Sequence, residues 1–113
     1  MSISYEGIGQ VLATFQVERG TEVGAVVMTK NNTVGMGEMG ACPCGVLIHK
    51  EEDNMGAVQL EGMVEVTFSG HAPTVGYAAF ICDGYGNLLQ DDNGRQLLVV
   101  SVDEENETMV IKL

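Results

Sequence analysis

Residues 21–61 laid over residues 73–113, without a gap, repeat one order of residue classes. Val23-Gly24 falls on Val75-Gly76, Glu52 on Glu104, Asn54 on Asn106 and Val58 on Val110. In each copy a Val-Gly opens an apolar run, Ala25-Val26-Val27-Met28 or Tyr77-Ala78-Ala79-Phe80. A polar turn follows, then a second apolar run (Val46-Leu47-Ile48, Leu98-Val99-Val100) and an acidic cluster (Glu51-Glu52-Asp53, Asp103-Glu104-Glu105). Solenoids and propellers need about three or more repeats to bury their faces, so two copies predict a closed, pseudo-symmetric domain. The phase breaks at the end. Val58 and Leu60 alternate inward in one phase, whereas Met109, Ile111 and Leu113 do so in the other, which predicts a last strand shifted by one residue.

The pattern of alternation predicts an all-β chain, a small antiparallel β-barrel or sandwich built from the two copies. From Val58 to Ser69 the residues Val58, Leu60, Val64, Val66 and Phe68 share one face, and Gln59, Glu61, Glu65, Thr67 and Ser69 the other. This is the period of two of a half-buried strand. Gly62 falls on the inward face, where a missing side chain marks a bulge or sharp bend. Other β-branched runs place strands near 10–18, 23–29, 45–49, 76–82, 87–90, 95–103 and 108–113. Asn31-Asn32, Asp83-Gly84-Tyr85-Gly86-Asn87 and Asp91-Asp92-Asn93-Gly94 supply turns, because Gly and Asn tolerate positive φ. A short helical turn near Gly37–Cys44 is compatible with the sequence. We expect one domain over 1–113: a loose arm over 1–9 that could order on a partner, a first half over 10–69 and a second over 70–113. Residues 62–72 are expected to link the two copies.

The chain's 113 residues suffice for one core without disulfides. Sixteen acidic against five basic residues give a net charge of −11, which opposes direct nucleic-acid binding, since phosphate is neutralised by Lys and Arg. With no apolar run of about 18 residues and no leader pattern, neither membrane insertion nor export is expected. Three cysteines are a poor count for a disulfide scaffold and fit a reducing compartment.

No constellation predicts chemistry, and no catalytic, cofactor-binding or metal residue is assigned. Cys42-Pro43-Cys44 lacks the C-x2–4-C spacing of zinc sites and the C-x-x-C of redox dithiols. A Cys3His site would use Cys42, Cys44 and Cys82 with His49 or His71. Small semi-buried residues in a Gly-rich turn are the better reading of the cysteines. Asp83–Asn87 lacks the full calcium-loop pattern and reads as a hairpin. Gly35-Met36-Gly37-Glu38-Met39-Gly40 has no Gly-Lys-Ser/Thr for phosphate. The carboxylates gather in turns, where exposure leaves them untuned for acid–base work.

One succession of segments resembles a known family. Arg19-Gly20-Thr21-Glu22-Val23-Gly24-Ala25-Val26-Val27, then Cys44-Gly45-Val46-Leu47, then Val58-Gln59-Leu60-Glu61-Gly62-Met63-Val64-Glu65-Val66, then Pro73-Thr74-Val75-Gly76-Tyr77 and Gly86-Asn87-Leu88 resembles the phage and prophage cement, or head-decoration, proteins. It spans most of residues 19–113. The resemblance implies a β-barrel related to the lambda-type decoration protein and a noncatalytic virion protein that binds and stabilises the assembled head. It also implies the major capsid protein as partner, assembly as a trimer on the capsid, and residence in the host cytoplasm before assembly. No binding residue carries over, and Cys42-Pro43-Cys44 has no counterpart. Alternatives are a head-completion or tail component, a β-barrel ligand- or protein-binding module, and a metal- or thiol-dependent enzyme.

Overall fold

The computed structural model describes residues 9–113, so all but Gly9 of the expected arm lies outside the described residues. Ten strands follow one another: β1 (Val11–Val17), β2 (Val26–Lys30), β3 (Thr33–Gly35), β4 (Gly45–Lys50), β5 (Met55–Glu61), β6 (Met63–Ser69), β7 (Gly76–Cys82), β8 (Leu88–Gln90), β9 (Arg95–Asp103) and β10 (Thr108–Lys112). A single 3-10 turn at Glu52–Asn54 joins β4 to β5.

The strands close into two five-stranded barrels, ordered β1-β3-β2-β4-β5 and β10-β6-β8-β7-β9. The repeat is therefore real and longer than the sequence comparison indicated, since β1 and β6 head the two copies. In each barrel the first strand runs parallel to the third, through Val17 opposite Val34 and Phe68 opposite Leu88. Every other pairing is antiparallel. Val58 lies opposite Ala13 in the first barrel, and Ile111 lies opposite Val64 in the second. Ile111, not Val110, thus holds the place of Val58, which is the one-residue shift that the alternation of β10 predicts.

The run Val58–Ser69 is two strands and not one. Gly62 stands between β5 and β6 at φ +96°, in the left-handed region that side chains with a Cβ avoid. A Cβ there would also lie 3.0 Å from the Gly9 carbonyl oxygen and the Gln10 Cα. The boundary between the halves therefore falls at Gly62 and not at Ser69-Gly70, and residues 63–69 form a barrel strand instead of a linker.

Gln59 departs from the alternation as well. The alternation predicts that it faces water, yet it is 2% exposed. Its Nε2 donates to the carbonyls of Glu61 and Met63 at 3.0 and 3.1 Å, and its Oε1 accepts from Gln10 Nε2 at 3.0 Å. The amide satisfies main-chain acceptors that the bend takes out of the ladder, which is the condition for burying a polar group.

Two local expectations also change. β3 is not among the expected strands, because three residues, Thr33-Val34-Gly35, are too short for a period to register. Residues 37–44 are not helical: they form an extended loop with a turn at Met39-Gly40, since the glycines at 37 and 40 adopt φ +71° and +96°.

The barrels do not have independent cores. Val17, Val27, Val34, Leu47 and Val58 fill the first. The second cluster holds Val64, Val66, Phe68, Phe80, Leu88, Leu97, Val99, Met109 and Ile111, and it also takes in Val26 and Val46. Those two valines pair across β2 and β4 of the first barrel, on the face opposite Val27 and Leu47. The outside of one barrel thus belongs to the core of the other. At roughly 1.5–3 kcal/mol for each fully buried Val, Leu or Phe side chain, this shared surface is a large part of what holds the halves together.

Main-chain bonds reinforce the seam. Val26 N donates to Gly86 O at 2.9 Å, Gly40 N to Cys82 O at 3.0 Å and Cys82 N to Ala41 O at 2.8 Å. Leu113 N closes the far end on Gly62 O at 3.0 Å.

These features predict the effect of disturbing the junction. Gly62→Val is expected to cost about 1–3 kcal/mol through backbone strain, and Gln59→Leu a similar amount, about 1–3 kcal/mol, by removing the donor to the Glu61 and Met63 carbonyls. Both should lower the urea midpoint with an unchanged m-value. A wild-type midpoint for Gly62→Val would show that the bend does not depend on glycine.

Candidate functional site

Cys42 is exposed, Cys44 half-buried and Cys82 buried. Cys44 packs against the first core and Cys82 lies in the second. His49 and His71 are exposed. Among the described residues no group of three or more His, Cys, Asp or Glu side chains is arranged to hold a metal ion. Burial pushes the Cys82 thiol up to about 12, helped by Cys44, Cys42 and Asp83. Burial also raises the Cys44 thiol, against the pull of the Arg95 guanidinium.

Arg95 Nη1 donates to the carbonyls of Pro43 and Cys44 at 3.3 and 3.4 Å. Together with the bonds between Gly40, Ala41 and Cys82, this makes the cysteine segment a strap pinned across the second barrel.

Asp83 is the buried carboxylate among the described residues, at 5% exposed. Its Oδ1 accepts from Tyr85 N at 2.7 Å and Asn87 N at 3.1 Å, and its Oδ2 from Asn87 Nδ2 at 2.9 Å. Thr67 on β6 in turn donates its hydroxyl to Asn87 Oδ1. Burial raises the Asp83 pKa, but the hydrogen bonds from Asn87, Tyr85 and Ser69 outweigh it and leave the carboxyl below its usual range. The segment 83–87 is a hairpin between β7 and β8, as its sequence indicates, with both oxygens of the carboxylate bonded within the turn.

This turn holds Tyr85 out at 81% exposed. Opposite it, the loop between β1 and β2 carries Val23 at 56% exposed. Between them the seam opens into a groove of about 460 Å³, lined by Glu22, Val23, Met36, Thr67, Tyr85 and Gly86 among others. Gly86 permits the close approach behind the groove: a Cβ would lie 3.1 Å from the Ala25 Cβ. The sequence does not group these residues, because Val23 and Tyr85 are far apart in the chain and come to one groove only when the barrels dock. The single local signal was the pair of glycines around Tyr85.

Comparison with protein-family models and with curated proteins gave no match.

Two measurements check this account. The depressed Asp83 pKa contributes stability that is complete above the unfolded value, about pH 4, and is lost as pH falls through the lower folded value. The difference in melting temperature between wild type and Asp83→Asn should therefore narrow as pH drops from about 5 to about 2; a constant gap would mean that the carboxylate is not titrating with folding. With a thiol reagent at about pH 8, Cys42 should label in the folded protein and Cys82 only on unfolding. Equal labelling rates would contradict the burial.

Proposed function

We propose that this protein is a noncatalytic virion protein of a phage or prophage, a capsid decoration protein that binds the outside of the assembled head through the major capsid protein. One observation carries the reading. The Val-Gly pair of the resembling segments recurs at the second strand of each of two tandem barrels, Val23-Gly24 shortly before β2 and Val75-Gly76 where β7 begins, and each valine is exposed, at 56% and 68%. A rigid two-barrel body with apolar loop residues held outward suits a protein whose task is to cover a surface.

The charge of −11 fits the same task, because like charges keep copies apart in solution until a template gathers them. The reading includes trimeric assembly on the shell, residence in the virion, and a soluble stage in the host cytoplasm before assembly.

Co-sedimentation tests it. The protein should pellet with expanded capsids of its own phage, saturate at a fixed ratio to the major capsid protein, and raise the temperature at which the shells break. Absence of binding to those capsids, with binding to isolated connector or tail instead, would move the assignment to a head-completion or tail component.

A further inference from the structure

We infer that the groove between the barrels binds an extended segment of another protein, one that carries an apolar side chain beside a lysine or arginine. The inference rests on the reading of the chain as a partner-binding protein, but not on that partner being a capsid.

The walls are prepared for an apolar side chain. The main chain at Tyr85 is held from both sides, by its own N–H on the Asp83 carboxylate at 2.7 Å and by the Gly86 carbonyl, which accepts from Val26 N at 2.9 Å. The fixed backbone sets where the ring emerges, and a tyrosine, with only two side-chain torsions, loses little conformational freedom on binding. Val23 and Met36 supply adaptable apolar surface near it.

The rim exposes main chain. Gly20 and Gly24 both line the groove, and nothing lies within 4 Å of where a Cβ would stand on either. An extended backbone can therefore come close, as it does when a strand-like peptide lies along a protein surface.

Charge selects the occupant. Of the charged side chains among the described residues, only that of Glu22 lines the groove. The neighbouring Lys50 ammonium is held on the Thr21 carbonyl at 2.9 Å, and the protein as a whole carries −11. A second copy would bring the same charge, whereas a segment with Lys or Arg is drawn in and set in register.

The test uses the full chain, labelled with nitrogen-15, and three blocked hexapeptides: alternating lysine and leucine, alternating glutamate and leucine, and alternating lysine and glycine. The lysine-leucine peptide should shift the amides of Val23, Gly24, Thr67, Tyr85 and Gly86 in a saturable way, and the other two should not. Tyr85→Ala and Glu22→Lys, both at exposed positions where the fold is checked by the same spectra, should weaken that peptide by about tenfold or more. Shifts scattered over the acidic turns at 51–54 and 103–107, or undiminished binding to Tyr85→Ala, would overturn the proposal. So would concentration-dependent shifts of these amides without peptide, which would give the groove to a second copy. Groove binding by a protein that ignores capsids would sink the virion reading alone, and capsid binding with an inert groove would sink this one alone.

Discussion

Val26 and Val46 are the residues on which the architecture turns. They belong to strands of the first barrel, yet they sit at 2% and 1% exposed within the core of the second. A barrel of five short strands has little interior to fill, and one that lends its outer face to a neighbour gains burial that it could not reach alone. This explains why the two β-rich halves read as one body, with a radius of gyration of 13.1 Å. It also explains why β2 and β4 are apolar on successive residues: Val26-Val27 and Val46-Leu47 each send one side chain into either core.

The groove is a by-product of the same docking. Two convex barrels packed at one face leave a cleft at its margin, and the loops that border it come from opposite halves of the chain. Gly86 lets those loops meet, and the Asp83 carboxylate stiffens the one that carries Tyr85. The strap over 40–44 closes the seam elsewhere, with Arg95 bonded to its carbonyls. One margin is thus sealed by main-chain bonds while the other stays open, with apolar side chains standing over it.

Much of the fold was legible in the chain. β7 and β9 match the expected runs at 76–82 and 95–103, and the turns at Asn31-Asn32 and 83–87 fall where Gly and Asn place them. The offset of β10 was visible because Met109 and Ile111 are both large and both inward. What could not be read came from contacts between halves. Gln59 looked like an outward residue of an alternating strand, since alternation cannot report a bend that calls for a buried amide. For the same reason Val58–Ser69 passed for one strand: on either side of Gly62 the period holds, and only the positive φ breaks it. The candidate groove was the least legible feature, because it joins residues from opposite halves by docking and not by spacing.

The order in which the strands are paired has a bearing on how the chain matures as it is made. The first barrel has all five of its strands once Glu61 has left the ribosome, whereas β6 waits for β10 to fill its free edge. Until the strands of the second barrel gather, Val26 and Val46 lack the core that covers them, and an open strand edge stands beside an apolar surface. Such a nascent species is the kind that chaperones meet and that pairs with the wrong neighbour. Its exposure ends when Thr108–Lys112 zips into place and Leu113 ties back to Gly62.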